Sequence, residues 1–125
     1  MGVKALVIDD SRAMRKILRR VLERMGFEVS EAENGQVALD DIRDNGAPDI
    51  ALVDWNMPVM DGLQFVVTLR SEHQYRDITL MMVTTESEYS QIVRALAAGA
   101  HEYLIKPFTA DAVEEKLAIL GMVPA

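Results

Sequence analysis

The fold is decided by residues 50–62, IALVDWNMPVMDG. The first four residues are an apolar run too short for a helix, which favours a strand buried on both faces of a sheet. The run ends in one carboxylate, Asp54, and the residues after it are rich in turn formers. Loops that follow a rigid strand often carry functional side chains. We therefore expect Asp54 to lie at the carboxyl end of a buried parallel strand.

Four further short runs predict strands, and segments with helical spacing separate them. The other strands are expected at residues 4–8, 27–32, 80–83 and 102–105. Helices are expected after caps at Ser11 and Asn34, after a capping box formed by Thr85 and Glu88, and over 63–70 and 110–120. This alternation indicates an α/β fold, with a five-stranded parallel sheet covered by five helices on its two faces.

Polar side chains stand where four of the predicted strands end. Asp9 and Asp10 follow the first strand, Asp54 the third, Thr84 the fourth and Lys106 the fifth. Because the carboxyl ends of parallel strands meet at one edge of a sheet, we expect these side chains to lie together. Three carboxylates there repel one another, and a hard cation such as Mg²⁺ removes the repulsion. The expected site holds this cation beside a phosphoryl group, with Asp54 as the nucleophile that forms an aspartyl phosphate.

Composition limits the other possibilities. The 125 residues predict a single domain over 1–125, and the absence of cysteine excludes disulfides and thiolate metal sites. The net charge of −7 disfavours binding to nucleic acid. No stretch suits a membrane span or a signal peptide, so a cytoplasmic protein that does not bind membranes is expected. One predicted helix is basic, with six cations against one acid: Arg12, Arg15, Lys16, Arg19, Arg20 and Arg24.

Each site residue also has an ordinary explanation when it is taken alone. Asp9, Asp10 and Asp54 could simply end strands or begin turns, Thr84 suits a strand, and Lys106 suits an exposed loop. Their coincidence at the ends of different strands on one predicted edge makes that explanation improbable.

The residues around this site also bear on two other classes of protein. A phosphatase of the haloacid dehalogenase type needs a second acid two residues after the nucleophile, where this chain has Asn56. A flavodoxin-type cofactor binder needs a phosphate-binding loop after the first strand, where Asp9 and Asp10 would repel the phosphate. Both alternatives are therefore disfavoured.

Four segments in order resemble the receiver domain of bacterial response regulators, and most closely its single-domain chemotaxis members. They are DD at 9–10, DWNMPVMDG at 54–62, VTTE at 83–86 and YLIKPF at 103–108. The resemblance covers nearly the whole chain and implies a flavodoxin-like sheet with the strand order 2-1-3-4-5. It also implies that Asp54 accepts phosphate from a histidine kinase or phosphotransfer domain. Mg²⁺ would be held by Asp9, Asp10, Asp54 and the Asn56 carbonyl.

The resemblance implies further roles for other residues. Lys106 and Thr84 would contact the phosphoryl oxygens, and Thr84 and Tyr103 would shift together as a switch. The Lys106–Pro107 bond would be cis, and Asn56 and Glu86 would tune the loss of phosphate. Such a protein is a phosphoacceptor that assists its own phosphorylation and dephosphorylation rather than an enzyme.

The resemblance also implies two partner surfaces on a monomeric protein. The basic helix would help to dock the kinase, and an output protein would bind the face that carries Ile92 and Tyr103. Glu88 and Tyr89 stand where chemotaxis members that bind the flagellar motor often carry lysines. A receiver in a phosphorelay outside chemotaxis, or one cut from a larger regulator, therefore stays open.

Overall fold

The computed structural model describes residues 2–122, in which strands and α-helices alternate. The strands are β1 (Lys4–Ile8), β2 (Glu28–Ala32), β3 (Ile50–Val53), β4 (Thr79–Thr84) and β5 (Glu102–Ile105). The α-helices are α1 (Arg12–Arg24), α2 (Gly35–Asn45), α3 (Gly62–Ser71), α4 (Tyr89–Ala98) and α5 (Ala110–Ile119). A 3₁₀ turn at His73–Tyr75 lies in the connector before β4. All neighbouring strands are parallel in the order β2-β1-β3-β4-β5, which confirms the predicted architecture.

The central strand β3 is buried on both faces of the sheet, as its unbroken apolar sequence predicts. Ala51 and Val53 pack on one face with residues of α2, α3 and α4. Ile50 and Leu52 pack on the other face with residues of α1 and α5. Each fully buried side chain of this size contributes about 1.5–3 kcal/mol to folding. The two cores fix β3, and with it the position of Asp54.

Side-chain caps begin most of the helices. Ser11 accepts a hydrogen bond from the Met14 amide, and Asn34 accepts one from the Val37 amide, as the sequence predicts. The capping box predicted from Thr85 and Glu88 is wrong, because α4 begins at Tyr89 and Glu88 makes no side-chain cap bond. The physical reason lies in the segment before α4, because Glu86 accepts hydrogen bonds from Asn56 in the loop after β3 and from Tyr103 in β5.

Two smaller expectations also change. The second strand was expected from Phe27, but Phe27 precedes β2 and is buried in the core. The turn residue Asp61 caps α3 in a reciprocal box with Gln64, so this helix begins one residue earlier than expected. None of the helices in the described chain has the length and apolar character needed to cross a bilayer. The single domain over 1–125 and the cytoplasmic location stay predictions.

Arg70 and His101 connect the chain segments that enter β4 and β5, at the end of the sheet opposite to Asp9, Asp10 and Asp54. The Arg70 guanidinium donates hydrogen bonds to four main-chain carbonyls, those of Tyr75, Arg76, Ile78 and Gly99. His101 Nδ1 accepts a hydrogen bond of 3.1 Å from the Leu80 amide. Burial, followed by the charge of Arg70, lowers the pKa of His101. The folded protein therefore favours a neutral imidazole at this position.

This lowered pKa predicts a loss of stability in weak acid. As the pH falls below about 6.5, the unfolded chain binds a proton at His101 more readily than the folded chain does. The free energy of unfolding should therefore fall between about pH 7.5 and pH 5.5, and it should fall less in His101→Gln. Urea unfolding of both proteins at the two pH values measures the difference. Equal pH dependence in the two proteins would show that His101 is not responsible.

Candidate functional site

The carboxyl ends of β1, β3, β4 and β5 bring the predicted polar side chains to one edge of the sheet. Asp9, Asp10 and Asp54 each place a carboxylate oxygen within 4.8 Å of the others. Asp9 and Asp54 are buried, at 2% and 8% exposure, whereas Asp10 is exposed. Residues far apart in sequence thus form one acidic cluster, as the strand-end positions predict.

Lys106 connects two of these carboxylates. Its Nζ lies 2.7 Å from Asp9 Oδ2 and 3.3 Å from Asp54 Oδ2, and its side chain is only 12% exposed. One ammonium group cannot balance three ionised carboxylates. The donor set is entirely oxygen and partly open to solvent, which suits a hard divalent cation. The acidic cluster could therefore bind a metal ion.

Main-chain contacts hold the Asp54 carboxylate in place. The Asp54 amide donates to the Ile8 carbonyl at 2.9 Å, and Asp54 Oδ1 accepts from the Trp55 amide at 2.7 Å. The second carboxylate oxygen, Oδ2, faces Lys106. A side chain at Gly62 would collide with the Asp54 carbonyl, so the close return of the loop requires glycine here. One oxygen of Asp54 is thus fixed by the backbone and the other faces the ammonium group.

A second group of contacts links Thr84, at the end of β4, to Tyr103. Thr84 is fully buried, and its Oγ accepts a hydrogen bond of 3.3 Å from the Glu86 amide. The Tyr103 hydroxyl donates to the Glu86 carbonyl at 2.7 Å. Burial, followed by the charges of Glu86 and Asp54, raises the pKa of Tyr103, so the phenol remains a donor. Asn56 Nδ2 donates to Glu86 Oε1 at 2.8 Å, and the role of these two residues in phosphate loss stays a prediction.

Two of the six basic residues of α1 pack against the sheet instead of extending freely into solvent. Arg15 and Arg19 turn toward β2 and form ion pairs with Glu31 at 3.0 and 2.6 Å. The sequence pattern predicts neither this network nor the hydrogen bond of 2.9 Å that the Ser11 amide donates to Asp9 Oδ1. Peptide N–H contacts leave no signal in side-chain patterns. The Lys106–Pro107 bond is cis, as the resemblance implies.

The fold and the strand-end cluster together define a class of signalling protein. Residues 5–118 match the response regulator receiver domain, and the chain belongs to this family. Such domains are signalling proteins rather than enzymes in the ordinary sense.

The individual relatives narrow the class. The chain is 40% identical to chemotaxis protein CheY1 of Helicobacter pylori over 119 residues, covering 94% of this chain and 96% of that protein. It is 43% identical to a CheY homologue of Campylobacter jejuni over 121 residues, covering 95% and 93% of the two chains. The structure of Vibrio cholerae CheY4 superposes with a TM-score of 0.88 at 33% identity, over 95% of this chain and 98% of that one. The protein is therefore a phosphorylatable response regulator of chemotaxis-like two-component signalling.

Val59 adopts an unusual backbone conformation in the loop after Asp54. Its φ is 69°, in the left-handed region that a β-branched side chain disfavours, and its side chain is 81% exposed. The Met60 amide donates to the Pro58 carbonyl at 2.7 Å, so Val59 is the centre of a γ-turn. Val59 thus adds strain to the turn and little buried surface.

Replacing Val59 by a residue that tolerates this conformation should stabilise the protein. We expect Val59→Asn to raise the free energy of unfolding by about 1 kcal/mol. Val59→Ala, which stays strained at positive φ, should give a smaller change. Urea unfolding of the three proteins measures the effect. If the Asn variant is no more stable than the parent, the strain at Val59 is relieved by other contacts.

Proposed function

We propose that Asp54 is the phosphoacceptor of this response regulator. A carboxylate oxygen of Asp54 attacks the phosphorus, and the bond from phosphorus to the donor nitrogen or oxygen breaks. The leaving group departs with its electron pair, and an aspartyl phosphate remains. The observation that carries the assignment is the position of Asp54, which ends the central strand and faces Lys106 at 3.3 Å.

Mg²⁺ is the cation proposed for the acidic cluster. Asp9, Asp10, Asp54 and the Asn56 carbonyl would hold it, in keeping with the preference of Mg²⁺ for a few carboxylates and several open positions. When bound, it supplies positive charge next to the phosphoryl oxygens. Lys106 would contact another phosphoryl oxygen, and the Thr84 hydroxyl would donate to a third. With these groups the chain would assist its own phosphorylation and dephosphorylation.

The proposed switch connects this site to an output surface through Glu86. In the structure Tyr103 is already buried, with 7% exposure, so an inward movement of its ring is not the whole switch. If the Thr84 hydroxyl turns to a phosphoryl oxygen, it releases the Glu86 amide, and the Glu86 carbonyl is the partner of Tyr103. The main chain at Glu86 would then shift together with the Tyr103 side chain.

An output protein is proposed to bind the face of α4 and β5 near Ile92 and Tyr103. Large apolar side chains are exposed on this face. Three lie at helical spacing on α4, namely Tyr89, Val93 and Leu96, and Ile105 lies at the end of β5. An acidic residue, Glu88, stands at the beginning of the helix. These features support a partner with an apolar contact surface.

A histidine kinase or phosphotransfer domain is proposed to dock on α1. Four of its cations recur at a spacing of four residues and make no ion pair within residues 2–122: Arg12, Lys16, Arg20 and Arg24. All four are exposed. The start of this helix lies next to Asp10, so a partner on α1 could reach the phosphoacceptor.

Phosphorylation of Asp54 is tested by intact mass after incubation with acetyl phosphate. We expect a gain of one phosphoryl group that needs Mg²⁺ and is lost in Asp54→Asn. Asp40→Asn, in an exposed acid of α2, is the matched control and should be modified like the parent. A gain that persists in Asp54→Asn would show that another residue accepts the phosphate.

Docking on α1 is tested with Lys16→Glu combined with Arg20→Glu. Reversing charges at the edge of an interface mainly slows association of the two proteins. Phosphoryl transfer from a purified, autophosphorylated chemotaxis histidine kinase should therefore slow about tenfold. Phosphorylation by acetyl phosphate should not change. Arg76→Glu, an exposed cation outside α1, is the control. Unchanged transfer from the kinase would place the docking surface elsewhere.

A further inference from the structure

Arg15 differs from the other cations of α1 in its contact with the main chain of the acidic cluster. Its Nη1 donates a hydrogen bond of 2.7 Å to the carbonyl oxygen of Asp9. Its Nε donates at 3.0 Å to Glu31 Oε1, and the Arg15 side chain is only 16% exposed. Arg15 therefore spans the ends of β1 and β2 from within the first turns of α1.

The Asp9 carbonyl belongs to the peptide unit that joins Asp9 to Asp10. The Asp9 amide pairs with Ala32 of β2 at 3.1 Å, but the chain then leaves the sheet toward α1. Arg15 supplies the hydrogen bond for the carbonyl at this exit. The orientation of this peptide plane sets the angle between the two carboxylates, because it fixes one backbone dihedral of each residue.

Glu31 holds the guanidinium group of Arg15 in this position. Burial of Glu31 acts to raise the pKa of its carboxyl, but hydrogen bonds from Arg19 and Arg15 outweigh burial, and the pKa is lowered. The carboxylate therefore stays charged and accepts from Arg15 with one oxygen and from Arg19 with the other. A guanidinium group is suited to this task because it carries several donors in a rigid plane, whereas a lysine carries one compact charge.

We propose that Arg15 is a positioning residue for the metal site, which it serves by fixing the Asp9–Asp10 peptide plane through its bond to the Asp9 carbonyl. The inference rests on the proposed function, in which Asp9 and Asp10 hold Mg²⁺. Within residues 2–122 the hydrogen bonds of the Arg15 side chain go to Asp9 and Glu31 and not to Asp54. Its effect passes through the two carboxylates that it orients.

The positioning role of Arg15 and its positive charge predict opposite changes in Mg²⁺ affinity when the side chain is replaced. Loss of a nearby positive charge should by itself strengthen the binding of a cation. Loss of the orienting bond should weaken it, and the loss of such outer partners lowers metal affinity by about 10-fold to 100-fold. The direction of the change in Arg15→Met therefore decides between the two effects.

The matched control is Arg19→Met. Arg19 binds the same Glu31 from the same helix, at 2.6 Å, but its hydrogen bonds go to Glu31 and Glu23 and not to Asp9. Both variants lose a bond between α1 and β2, so both should lose stability. Only Arg15→Met should disturb the acidic cluster. Arg15→Lys keeps the charge without the planar pair of donors, so it should also bind Mg²⁺ more weakly than the parent, with no gain from a lost charge.

Mg²⁺ titration of the parent and the variants, followed by the fluorescence of the single tryptophan, tests the proposal. Trp55 directly follows Asp54, and its main-chain amide donates a hydrogen bond to the Asp54 carboxylate, so its fluorescence should report metal binding. We expect the dissociation constant of Arg15→Met to rise about tenfold and that of Arg19→Met to change less than twofold. The amide resonance of Asp10, measured without metal, should also shift in Arg15→Met and not in Arg19→Met.

Three results would overturn the inference: tighter binding in Arg15→Met, unchanged binding, or equal weakening in both arginine variants. If Arg15→Met does not fold, Glu31→Gln keeps Arg15 and removes its charged anchor, and unchanged Mg²⁺ affinity in that variant would overturn the inference equally. Failure of the proposed function looks different, because the parent protein would then show no Mg²⁺ binding at all.

Discussion

The close approach of three carboxylates to one ammonium group at the edge of the sheet is the constraint that the rest of the structure has to satisfy. Asp9, Asp10 and Asp54 have oxygens within 4.8 Å of one another, and within residues 2–122 Lys106 alone forms ion pairs with this cluster, through Asp9 and Asp54. Such a cluster opposes folding, because like charges repel and buried carboxylates lose hydration. The rest of the molecule has to hold it together. The buried central strand and the two apolar cores beside it supply the opposing free energy.

This arrangement is a property of the topology rather than of any local sequence. Asp9 and Lys106 are 97 residues apart, and they meet because β1 and β5 end at the same edge of one parallel sheet. Parallel neighbours need crossover helices, so the short loop that leads from each strand to the next helix lies at this edge. Short loops therefore reach the cluster from several strands at once. A cation or a phosphoryl group placed there would act on all of these loops together.

Sequence patterns predict the features that depend on the spacing of apolar residues and on the placement of polar residues at strand ends. β3 was evident from four apolar residues before Asp54, and the cluster followed from the polar residues at the ends of different strands. The start of α4 was not predictable in this way, because Thr85 and Glu88 satisfy the local rule for a capping box. Tertiary hydrogen bonds from Asn56 and Tyr103 to Glu86 hold the chain out of the helix instead. The sequence also does not separate the exposed cations of α1 from those that pack on the sheet. Arg15 and Arg19 differ from their neighbours because they pair with Glu31 of β2, which is distant in sequence.

The bonds around Glu86 limit how strongly the site and the output face can be coupled. Glu86 offers its amide to Thr84 and its carbonyl to Tyr103, so one residue joins the buried end of β4 to a buried aromatic of β5. A single hydrogen bond of this kind contributes about 0.5–1.5 kcal/mol net, which shifts a two-state equilibrium by about tenfold at most. A larger response needs the charge of the phosphoryl group and the affinity of a partner to act in the same direction. Because Tyr103 is already buried in this structure, that additional free energy would act mainly on the loop between Thr84 and α4.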